Sequence, residues 1–233
     1  MPTVLLVGAT GTVGRAAAEV FAGHGWRVIG VARSAERLAD LRNRFPEHVE
    51  VVEGSLATPE TTEALAATLD VSAVDAVVLT TSMRWEPRPI AALDDESLRE
   101  VLAGDLFLHV NAARAFIPRM RREAVYLATG GGMADHTFPG MGPVSMTQAA
   151  QRALLRSWHK ETTSGVEIRE LMISSMVRGH SLDDARPASL TAVEVAERLV
   201  DVVERPEHYP GPVISIDPSI RDATAEESAA ESP

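Results

Sequence analysis

The chain has 233 residues, 45% of them hydrophobic, enough to build one α/β domain with a sizeable core. A formal net charge of −11, with no Lys/Arg-rich face in view, argues against a nucleic-acid partner. There is no cysteine and no close His-x-His or His-x-x-x-His pair, so disulfides, thiolate metal sites and cysteine nucleophiles are excluded and no metal is expected. No apolar run approaches a membrane span, and no signal segment precedes the first strand, so the expectation is a cytoplasmic protein without a membrane partner.

In chain order, Thr3-Val4-Leu5-Leu6-Val7 reads as a buried strand, followed at once by Gly8-Ala9-Thr10-Gly11-Thr12-Val13-Gly14 and an alanine-rich helix. Strand, glycine turn and helix N-terminus together bind the pyrophosphate of a dinucleotide. Gly8 lets the chain leave the strand sharply, Gly11 lets phosphate approach the backbone, and Gly14 lets the helix pack close. Thr10, Thr12 and Val13 complete the expected cradle. Further buried strands are predicted at Val28 to Val31, Val49 to Val52, Val74 to Thr80, Ala124 to Ala128, Val166 to Ile173 and Val213 to Ile216. Amphipathic stretches lie between them, from Val13 to His24, Ala35 to Arg44, Pro59 to Leu69, Asp95 to Arg121, Pro143 to Thr163 and Thr191 to Glu204. This alternation implies a single doubly wound α/β domain of the Rossmann type over 1–217, with a seven-stranded, mainly parallel sheet. Residues 218–233 are acidic and polar and are expected to be a disordered tail.

The Gly-x-x-Gly-x-x-Gly spacing in this setting resembles the short-chain dehydrogenase/reductase superfamily, and the likeness runs through nearly the whole chain. After the second strand stands Ala32-Arg33-Ser34, where an acidic residue would bind the adenine ribose hydroxyls. An arginine there pairs with a 2′-phosphate instead, so the expected cofactor is NADP, held by Arg33 and Ser34. A solvated loop arginine is the alternative. Ser55 and Leu56, after the third strand, resemble the family's adenine-contacting segment, with serine in place of the usual aspartate. Thr81 and Ser82 end the fourth strand where the family shows Asn-Asn-Ala-Gly, and the resemblance turns them toward the nicotinamide ribose; strand-end capping is the other reading.

Members of this superfamily use Ser, Tyr and Lys with a supporting Asn. Alignment on Ala149-Ala150 puts Val144 at the tyrosine position and Gln148 at the lysine position, where it would face the ribose. Asp105 falls at the asparagine position, and Thr129-Gly130-Gly131-Gly132 covers the serine region. The resemblance is thus to a divergent, atypical member without the Ser/Tyr/Lys set. Asp105, His136 and Thr129 are the candidates to replace that set. For His136 an exposed polar loop is the competing reading, and for Asp105 a bond to neighbouring backbone.

The functional expectation is an NADP-dependent carbonyl reductase acting on a small or medium organic molecule. Two alternatives stand beside it, an NADP-binding sensor without turnover and a non-redox cyclase or isomerase on the same scaffold. The apolar stretches Leu106-Phe107-Leu108 and Ala153-Leu154-Leu155-x-x-Trp158 on the fourth and fifth helices predict a homodimer or homotetramer.

Overall fold

The computed structural model describes residues 1–220. Seven strands form one parallel sheet: β1 Thr3–Val7, β2 Arg27–Ala32, β3 Val49–Glu53, β4 Ala76–Leu79, β5 Val125–Gly131, β6 Glu167–Ile173 and β9 Val213–Ile216. Two short strands, β7 Met176–Val177 and β8 Ser189–Leu190, pair with each other as a separate ribbon. The main sheet runs in the order β3-β2-β1-β4-β5-β6-β9, every neighbour parallel. Strand order reverses between β1 and β4. Parallel sheets of this kind open a crevice beyond the carboxyl ends of the strands at that reversal.

Helices α1 Thr12–Gly23, α2 Ala35–Arg44 and α7 Ala192–Glu204 supply the crossovers on one side. On the other lie α3 Pro59–Thr68, α4 Asp95–Val101, α5 Phe107–Phe116 and α6 Gly142–Glu161. The two apolar cores match these two layers. One gathers Phe21, Trp26, Val195 and Leu199 against β1, β4 and β5, and the other gathers Leu65, Phe116, Ile117 and Leu155 against their opposite faces. Buried on both faces, the central strands are continuous apolar runs rather than alternating ones, as parallel strands require. Among the described residues no helix is long and apolar enough to cross a membrane.

The sequence predicts one helix over 95–121, and the structure corrects this. A π turn at Leu102–Leu106 separates α4 from α5, and a single 3-10 turn at Ile117–Arg119 ends the run. Two local causes are visible. Gly104 sits at the widened turn with Met83 against it: a Cβ there would lie 3.2 Å from the Met83 sulfur. Pro118 removes a backbone donor and closes the helix. The ribbon of β7 and β8 has no counterpart in the sequence expectation, because two-residue strands show no period to read. Beyond the sheet, Ile220 still packs against the core, and the rest of the expected tail lies outside the described residues.

The closeness of α1 to the sheet depends on Gly14. A Cβ at that position would stand 2.1 Å from the Gly8 carbonyl oxygen and 2.9 Å from the Ala9 Cα, both fixed backbone. Gly14→Ala is therefore expected to lower unfolding stability by about 1–3 kcal/mol, the usual cost of overpacking, seen as a reduced urea midpoint. An unchanged midpoint contradicts the close-packing argument.

Candidate functional site

One cavity of about 1500 Å³ opens along the carboxyl ends of β1, β2, β4, β5 and β6. Single small-ligand sites commonly measure about 300–1,000 Å³, so this one is larger than most. Its floor is the β1–α1 turn, lined by Gly8, Thr10, Gly11, Thr12 and Val13. Gly8 takes φ +88°, a left-handed conformation, and its N–H donates to the Val31 carbonyl at 2.9 Å. Gly11 caps α1 without a side-chain bond, which leaves the first-turn amides of the helix facing an incoming anion. Gly14 does not line the cavity; its part is the close approach already described.

At one end the rim carries Arg33 and Ser34. The Ser34 hydroxyl accepts from the Arg37 N–H at 3.3 Å and so caps α2. Arg37, which the sequence reading missed, also lines the cavity, and its Nη2 donates to the Thr10 carbonyl at 2.7 Å. The available signal was its place in the first turn of α2, one helical turn after Arg33. Two guanidinium groups therefore share this end. Next to them, Ser55 and Leu56 line the wall. The Ser55 hydroxyl accepts from the Ala57 N–H at 3.2 Å, and the Leu56 carbonyl accepts from Asn111 Nδ2 at 2.9 Å.

At the other end Thr81, Ser82, Thr129 and Gln148 line the same cavity. Thr81 Oγ1 and Gln148 Oε1 are buried polar atoms with no partner in the protein. Buried atoms of this kind carry a desolvation cost that a bound ligand relieves. Thr129 donates its hydroxyl to the Leu79 carbonyl at 3.2 Å, turning it toward β4. Its own carbonyl accepts from Gln151 Nε2 at 2.8 Å. The glycines that follow are filled spaces. A Cβ on Gly131 would lie 2.4 Å from Gln148 Oε1, and one on Gly130 would lie 2.1 Å from Glu170 Oε1.

Asp105 is buried in the π turn and lines the cavity. Its Oδ2 accepts from the Thr147 hydroxyl at 2.5 Å. One turn onward stands His109, wholly buried, its Nδ1 without a partner in the protein. Burial pushes the His109 imidazole down to about 4, against the opposing pull of Asp105 and of the Thr81 backbone. His136 lies on the loop after β5, exposed and on the cavity wall. Its sequence neighbour Asp135 pairs with Arg152.

The sequence reading also missed the charge cluster beneath the loop. Arg152 of α6 is 5% exposed and Glu170 of β6 1% exposed, and Arg152 Nε and Nη2 meet the Glu170 carboxylate at 3.0–3.2 Å. Burial pushes the Glu170 carboxyl up while the guanidinium opposes it.

The short chain dehydrogenase model matches residues 2–177. The chain belongs to that family. Among solved structures, it is similar to an alcohol dehydrogenase from the archaeon Thermococcus sibiricus complexed with 5-hydroxy-NADP, at 21% identity and TM-score 0.79, covering 93% of this chain and 96% of that one. It is similar to serine dehydrogenase from Escherichia coli at 20% identity and TM-score 0.80, covering 94% and 98%. A short chain oxidoreductase from Pseudomonas aeruginosa PAO1, described as containing an atypical catalytic center, matches at 20% identity and TM-score 0.79 over 92% and 95%. At such identities the likeness shows the shared fold. No curated protein sequence matches the chain.

The chain holds two tyrosines and the single lysine Lys160. None of the three lines the cavity. Tyr126 is fully buried in β5, where burial pushes its hydroxyl up, and Lys160 is in the last turn of α6.

His109 gives a pH prediction. Its folded-state value lies below that of the unfolded chain, so the unfolded state binds the extra proton first. Stability is then lost as pH falls from about 6.5 toward about 4 and levels off below, with a slope of up to about 1.4 kcal/mol per pH unit from this group. In urea titrations His109→Gln should flatten that part of the profile. Parallel profiles for the two proteins would remove His109 as its source.

Proposed function

We propose that this short chain dehydrogenase is an NADP-dependent carbonyl reductase for small or medium organic molecules that works without a Tyr/Lys pair. The observation that carries the reading is the continuity of one cavity. It runs from Arg33 and Arg37, past the β1–α1 turn, to Gln148, Asp105 and His136.

The residues present suit a nicotinamide dinucleotide phosphate. Gly8 and Gly11 offer bare backbone to a pyrophosphate, and the first turn of α1 offers free amides. Arg33 and Arg37 supply charge for a 2′-phosphate, while Ser55 offers a hydroxyl to adenine. The orphaned Thr81 Oγ1 and Gln148 Oε1 would be satisfied by a ribose and carboxamide between them, with Ser82 alongside. When bound, the reduced cofactor supplies a hydride. The similar Thermococcus sibiricus enzyme, solved with 5-hydroxy-NADP, agrees with this choice of nucleotide.

A carbonyl reduced at this end takes a proton on oxygen. His136 projects from the loop on the cavity wall, open to solvent for reprotonation, and an imidazole is suited to proton transfer near neutrality. Asp105 is the second acid–base group on the wall, oriented by the Thr147 hydroxyl. Thr129 offers only lone pairs, because its hydroxyl hydrogen is used by Leu79. The atypical catalytic center described for the Pseudomonas aeruginosa relative makes a replaced donor set unexceptional on this fold.

We also place a homodimer or homotetramer contact on α5 and α6. Part of the apolar surface expected there is used internally, since Leu155 is buried and Leu108 and Trp158 pack on the core. Phe107 and Met146 remain 48% and 43% exposed on these helices. Light scattering at micromolar concentration should give at least twice the chain mass; a monomer contradicts the placement.

Calorimetry and turnover together test the main reading. Arg33→Ala should weaken NADPH binding by roughly 10- to 10²-fold, the value of a charge-assisted contact, and leave NADH unchanged. His136→Ala should lower carbonyl turnover by roughly 10²-fold at unaltered NADPH affinity, and Asp105→Asn reports the share of the second group. Equal affinity of the unaltered protein for the two nucleotides would defeat the NADP assignment. Tight binding with no reduction of any carbonyl offered would favour the sensor.

A further inference from the structure

We infer that Arg152 is a positioning residue for proton transfer, acting through Asp135 to hold the loop that carries His136 against the cavity. This rests on the reading of His136 as the donor.

The loop from Gly132 to Met141 has few internal ties. The amides of Asp135 and His136 both donate to the Gly132 carbonyl at 3.1 Å, and the Ser145 hydroxyl approaches the His136 carbonyl at 3.4 Å. Its far end is held by Trp85, whose Nε1 donates to the Gly140 carbonyl at 2.8 Å. Among the described residues, the one ion pair of this loop is Asp135 to Arg152.

That tie is built on a buried base. Glu170, rooted in β6 between β5 and β9, fixes Nε and Nη2 of Arg152, and Nη2 also donates to the Gly131 carbonyl at 3.2 Å. Only Nη1 is left over, and it points to Asp135, half exposed on the loop. The guanidinium is thus a rigid bridge from the sheet to the residue beside His136. Its planar fork makes this possible, because the Nε/Nη2 edge binds Glu170 while Nη1 reaches on. Gly130 belongs to the same device. A side chain there would strike the Glu170 carboxylate, so the strand end gives up its side chain to seat the base of the bridge.

Removing Arg152 would leave Glu170 buried and unpaired and endanger the fold, so the test is made at Asp135. In the full chain, Asp135→Asn should speed amide hydrogen exchange at residues 133–138 by about tenfold or more, with α6 and β6 unaltered. It should also lower kcat by roughly 10- to 10²-fold while KM for NADPH stays the same, as expected when a reacting group is misplaced. Asp135→Glu, which keeps the charge, should recover most of both. Unaltered exchange in the loop overturns the inference. So does an Asp135→Asn enzyme that keeps its turnover while His136→Ala loses it. Full turnover in His136→Ala defeats the reading of His136 as donor, and the inference with it.

Discussion

The site depends on how near α1 comes to the end of β1. Gly14 rests on the Gly8 carbonyl with no space for even a methyl group, and Gly8 itself is turned to a positive φ beside Thr80. This approach brings the first-turn amides of α1 over the crevice between β1 and β4, where strand order reverses. A bulkier turn would lift the helix away and leave an ordinary surface groove. Everything else on the wall is arranged around that fixed point: Arg33 and Arg37 at one end of the cavity, Asp105, His136 and Gln148 at the other.

A second constraint works from below. A buried Arg–Glu pair gains little net stability, since desolvation of two charges offsets most of their attraction. Its value here is geometric. Arg152 and Glu170 join α6 to β6 beneath the loop that follows β5, and the remaining guanidinium nitrogen, Nη1, is directed to Asp135 on that loop. The run Gly130-Gly131-Gly132 is shaped to this arrangement, with Glu170 and Gln148 occupying the volumes that side chains would otherwise take.

The parts of the site that were legible in the sequence are those set by local geometry. The glycine spacing after a buried strand specifies its own turn, and Arg33 is placed by the end of β2, so the lining of this part of the cavity follows from short segments. The apolar runs gave all seven strands of the main sheet, because parallel strands buried on both faces leave an unbroken signature. What was not legible depends on distant partners. Arg152, Glu170 and Asp135 lie on three separate elements, and nothing in their spacing announces that one guanidinium joins them. The π turn at Asp105 has no local signature either; its Gly104 packs on Met83 from another loop. Arg37 was within reach of a local argument, one turn past Arg33 in a capped helix, and was overlooked.

On the proposed function, one continuous cavity orients a phosphorylated dinucleotide with its nicotinamide toward His136. The decisive measurement is a crystal structure of the unaltered chain grown with NADP⁺. The pyrophosphate is expected on the first-turn amides of α1, the 2′-phosphate within hydrogen-bonding distance of Arg33, and the nicotinamide ribose beside Thr81 and Gln148. A nucleotide bound in the opposite direction, or one whose 2′-phosphate projects into solvent away from both Arg33 and Arg37, would contradict it.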